Sequence, residues 1–71
     1  MQYLEGIADK LANEVLDVIE ATGNEDVVDD VKKIIGTSST TLEEAYMTAV
    51  RVRRAERRAT EMLSKLRETA Q

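Results

Sequence analysis

Between residues 38 and 70 the chain runs without Gly or Pro, and small or apolar residues recur at Leu42, Ala45, Ala49, Val52, Ala59, Leu63, Leu66 and Ala70. The steps between them alternate three and four, provided Glu56 fills the one gap. That spacing keeps every member on one line of an α-helix, as in a helix packed along a seam. The pattern predicts one long helix over about residues 40–69. Thr40 with Glu43, and Thr41 with Glu44, each have the capping-box spacing at its start.

Upstream, Leu4, Ile7, Ala8, Leu11, Ala12, Val15, Val18 and Ile19 fall on one broad face at steps of three and four. They predict a first helix over about residues 2–22. Gly23 follows the last periodic residue, where a left-handed C-terminal cap is expected because glycine takes positive φ without strain. Asn24 then reads as the N-cap of a shorter helix, about residues 25–35. Val27, Val28, Val31, Ile34 and Ile35 form its apolar face. Glu25 and Asp26 near its start and Lys32 and Lys33 near its end suit the helix dipole. β-branched residues favour strands, but acidic pairs interrupt any alternation, so the helix reading stands. Gly36 is expected to close it.

The expected fold is therefore all-α: one domain, residues 1–71, of three helices with a long C-terminal member. Short loops make successive helices antiparallel. At ~1.5 Å per residue the third helix is about 45 Å long and the second about 16 Å. Helix 2 cannot cover the third beyond about Ala59, yet Leu63 and Leu66 continue the seam there. A second chain is the expected cover, either completing a bundle or pairing two hairpins, and both routes predict a homodimer. The expected dimer seam is Leu42, Ala45, Ala49, Val52, Glu56, Ala59, Leu63 and Leu66. Glu56, its polar member, is expected to fix register by pairing with an arginine across the interface.

Composition narrows the chemistry. The chain has no Cys, His, Trp or Phe and only two Tyr, so an aliphatic core is expected. Disulfides are excluded, as are soft or nitrogen-ligated metal sites. Small domains lacking such staples commonly gain stability by association. The net charge of −4 is unevenly spread: residues 1–36 hold nine acids and three lysines, and residues 37–71 hold seven basic residues and five acids. Opposite signs favour packing the halves together. No run of 18 apolar residues suggests a membrane span, no signal-peptide pattern is evident, and a cytoplasmic location is expected.

Residues 51–58, RVRRAERR, carry five arginines. Arg51, Arg54 and Arg58 share one helical face, and Arg53 and Arg57 the adjacent one. A stripe of this kind grips phosphates in helical RNA- or DNA-binding dimers. The acidic balance and the lack of a base-stacking aromatic beside the block weigh against that use. Pairing with the acids of helices 1 and 2 is the plainer expectation, and an acidic protein partner ranks above nucleic acid. Glu25, Asp26, Asp29 and Asp30 lack the glycine-turned loop of a calcium hand, so no metal is expected. Without His or Cys no nucleophile has its usual base. The sequence thus predicts no enzyme, no cofactor and no small-molecule substrate. It predicts a small interaction or regulatory protein that binds a partner macromolecule through the long helix. The alternatives are a nucleic-acid-binding dimer using the arginine stripe and a structural assembly element.

Overall fold

The computed structural model describes residues 2–70, with side chains from Tyr3 onward. It is all-α, with α1 at Gln2–Thr22, α2 at Val27–Gly36 and α3 at Thr40–Ala70. Gly23 ends α1 with φ +75°, and its N–H donates to the Ile19 carbonyl at 2.7 Å. The turn that follows differs from the expected cap. Asn24 Oδ1 accepts from the Asp26 N–H at 3.0 Å and builds a turn over Glu25 and Asp26, so α2 starts two residues later than the sequence suggests. Asp26 occupies the cap position without a side-chain cap bond.

Gly36 is the last residue of α2 but does not take a left-handed conformation. A Cβ there would lie 3.0 Å from the Glu43 carboxylate, so the glycine admits Glu43 rather than turning the chain. Neither threonine forms the expected capping box. Ser39 caps α3 instead, its Oγ accepting from the Leu42 N–H at 3.0 Å.

The helices run up, down and up. Ile35 of α2 joins Ala12 and Val15 of α1 and Tyr46 and Val50 of α3 in one core cluster. Leu11, Ile19, Val28, Leu42 and Ala49 pack around it. The expectation of a purely aliphatic core is overturned by Tyr46, which is 0% exposed. Its ring fills the centre, and its hydroxyl donates to the Val28 carbonyl at 2.9 Å, giving the polar tip the partner that burial demands.

Tyr46 also marks which face of α3 turns inward. Tyr46, Val50, Arg53 and Arg57 lie on a line about a quarter-turn round the helix from the Ala45–Ala49–Val52 line. The first line faces α1 and α2, and the second lies to its side. Only the N-terminal half of α3 is covered: residues 58–70 are exposed throughout. The result is an elongated molecule. Its radius of gyration is 14.3 Å, against roughly 11 Å for a compact domain of this length.

Candidate functional site

Two features of α3 stand out: the arginine block, part of which reaches the acidic α1 and the turn after it, and the apolar line that lies to the side of the core.

Arg53 is the centre of the first. Its Nε and Nη2 donate to Asp9 Oδ1 and Oδ2 at 2.5 and 2.6 Å, a bidentate fork, while Nη1 reaches Glu56 Oε1 at 2.8 Å. Planar guanidinium and carboxylate groups match in this geometry, which makes it stronger than a single contact. The Arg53 guanidinium, chiefly through its hydrogen bonds, holds the Asp9 carboxyl below its ordinary range. The same bonds to Asp9 and Glu56 raise the pKa of Arg53. Glu56 is thus held by its own helix, within one chain.

Arg54 pairs with Glu25 at 2.6 Å, tying α3 to the α1–α2 turn. Arg57 reaches Asp17 at 3.0 Å and Glu20 at 2.9 Å, and also approaches the Asn13 side chain. These bonds join the acidic half of the chain to the basic half. Arg51 and Arg58 are exposed and make no ion pair among the described residues. The five arginines are therefore not one surface. Arg53, Arg54 and Arg57 are half-buried struts, and Arg51 and Arg58 point to solvent.

The apolar line is the second feature. Leu42, Ala45 and Ala49 are half-buried, whereas Val52, Leu63 and Leu66 are 59%, 58% and 53% exposed. Glu56 and Ala59 are exposed between them. Where α1 runs beside the upper part of this line, the two helices form an open trough. Leu4, Gly6, Ala8, Ala45, Ala49 and Val52 give it an apolar floor, and Glu5 and Glu44 are among its polar members. No residue of α2 lines it. Met62 adds a further exposed apolar side chain near the tail.

Among the described residues no group of three or more carboxylates converges as a cation site does. Nor is any helix long and apolar enough to cross a membrane. No family model, curated protein or solved structure matches the chain.

The sequence placed the seam and the arginines on α3 but left Tyr46 out of the core. The available signal was the i, i+4 pair Tyr46–Val50 continued by Arg53 and Arg57. Arginine stems pack as apolar surface while their heads reach carboxylates. A count of apolar letters passes over them.

Proposed function

We propose that this chain is a non-enzymatic interaction protein of the cytoplasm that docks on a macromolecular partner through α3. The reading is supported by one observation above the rest: Val52, Leu63 and Leu66 lie on one line, more than half exposed, outside the core the chain builds for itself. Isolated exposed apolar residues are common, whereas several on one line of a rigid helix, here interrupted by Glu56, have the form of a helix-in-groove or helix-pairing surface.

The nucleic-acid alternative has less support. Three of the five arginines already hold carboxylates, and a phosphate would have to compete with them. Arg51 and Arg58 leave a two-residue footprint, far short of the six to ten phosphate contacts that give strong salt-dependent binding.

The test is to replace Leu63 and Leu66 together by Glu and follow urea unfolding of the dilute chain. The reading expects an unfolding free energy unchanged to within about 0.5 kcal/mol, as for ordinary surface positions. A loss of about 2–5 kcal/mol, the scale of core leucines, would mean that the fold itself uses the seam, and would overturn the reading. A gel shift with random-sequence RNA or DNA at low salt, abolished by Arg51→Ala with Arg58→Ala, would establish the alternative in its place.

A further inference from the structure

The seam of α3 is unequal along its length. Its upper part is small, with Ala45 and Ala49, and is widened by α1 into the trough. Its lower part is bulky and exposed, with Met62, Leu63 and Leu66. We propose that the occupant of the trough is the tail of a second copy of this chain, the two α3 helices pairing antiparallel about a two-fold axis near Glu56. This rests on the reading of α3 as a docking helix and names its partner.

Four observations carry it. The first is shape. Antiparallel pairing sets each bulky tail over the other's small-floored trough, twice, by symmetry. Parallel pairing would set alanines against alanines at one end and leucines against leucines at the other. Small end against bulky end, repeated by the two-fold, is the self-complementarity that an isologous interface requires.

The second is Gly6. It sits inside α1 and lines the trough, and nothing lies within 4 Å of where its Cβ would be. Glycine is disfavoured within a helix relative to Ala. Among the described residues no contact uses the space it leaves. An apolar side chain entering the trough does.

The third is area. The chain exposes 5361 Å², about 950 Å² more than the roughly 4,400 Å² expected of a compact protein of its mass. A standard interface buries about 800 Å² on each partner. The surplus surface is on the scale of one such interface.

The fourth is charge. The trough carries Glu44, and the tail that enters it carries Arg67, which comes level with Ala45 of the second copy. At the axis the two Glu56 carboxylates approach one another. Each already accepts from Arg53 of its own helix, which offsets their repulsion.

The test uses the absence of cysteine, so that one introduced thiol is the only one present. Thr69→Cys carries a nitroxide label, and the label-to-label distance is read by pulsed electron resonance. Thr69 lies 13 residues beyond Glu56, so antiparallel helices place the two labels about 40 Å apart at ~1.5 Å per residue. A label-to-label distance of about 20 Å, the scale of parallel helices packed 8–10 Å apart, would overturn the proposal. So would the mass of a single chain at every concentration, in which case the seam belongs to another protein and the docking reading stands alone. As a second measurement, Leu63→Glu is expected to weaken the dimer at least tenfold. Because Leu63 touches none of the core cluster, its helical signal should remain. A dimer unaffected by Leu63→Glu would place the interface elsewhere and overturn the proposal.

Discussion

The Tyr46 hydroxyl donates to the Val28 carbonyl at 2.9 Å, joining α3 to α2 at the centre of the only core cluster among the described residues. That one aromatic ring sets the rotation of α3. With Tyr46 inward, Val50, Arg53 and Arg57 face the other helices, and Ala45, Ala49 and Val52 are carried to the side.

Replacing Tyr46 by Phe keeps the ring and removes the bond. The expected loss is about 1 kcal/mol in urea unfolding, the typical net worth of one hydrogen bond. Tyr46→Ala removes the ring as well, and about 3–5 kcal/mol is the scale for truncating a buried aromatic. In a chain with so few buried side chains that leaves little folded protein, and circular dichroism would record it.

Burial, with a smaller contribution from Asp29, raises the Tyr46 phenol above its ordinary value near 10. A raised folded pKa means the fold prefers the neutral phenol. That stability is present below pH ~10, the unfolded value, and is lost as pH rises through the folded value. Wild type should therefore lose stability above pH ~10 more steeply than Tyr46→Phe. Tyr3 is 78% exposed and remains in both proteins as the control.

Asp9 has the opposite sign. Its carboxyl is held below 3.8 by Arg53, so the contribution of the pair is present above that value and lost as pH falls through the lowered one. Asp9→Asn should flatten the acid limb of the stability curve in this window. An unchanged acid limb would mean that the fork with Arg53 does not form in solution.

The arginines separate by salt. Arg57→Ala removes ion pairs to Asp17 and Glu20, so its small destabilisation, of at most about 1 kcal/mol, should shrink in 1 M salt. Arg51→Ala and Arg58→Ala should change stability little at either ionic strength. Chemical unfolding by urea at two salt concentrations measures both.

Gly23 and Gly36 should respond oppositely to alanine. At Gly23 nothing obstructs a Cβ, but φ is +75°, so Gly23→Ala should cost about 1 kcal/mol through the backbone alone. At Gly36 the backbone is ordinary and the neighbour is the flexible end of Glu43, which can swing aside. Gly36→Ala should be neutral or should stabilise by up to about 1 kcal/mol. Thermal melts of the two variants are the direct comparison.

The helices were legible because their signals are local. Three-four spacing, Gly23 and the break at residues 36–39 place each element to within two residues. Caps were less legible, because Asn24 serves equally as a cap or as the start of a turn, and Ser39 competes with Thr40 and Thr41 for one position. The inward face of α3 was the least legible. Two lines run along that helix: one of small and apolar letters at Ala45, Ala49, Val52, Leu63 and Leu66, the other led by Tyr46, Val50, Arg53 and Arg57. Letter by letter the first looks more hydrophobic. The second wins inside the chain because it offers one large ring and two arginines that reach three carboxylates of α1, Asp9, Asp17 and Glu20. The arginine stripe, continuous on paper, divides for the same reason: Arg53, Arg54 and Arg57 lie where acids reach them, and Arg51 and Arg58 do not.

The most direct test of the account is absolute mass by light scattering behind a sizing column, over about a hundredfold range of concentration. The account predicts twice the chain mass of 7.9 kDa at the upper end for wild type, and the single-chain mass for Leu63→Glu under the same conditions. A wild-type mass of 7.9 kDa throughout, or a Leu63→Glu protein that still doubles, would contradict it.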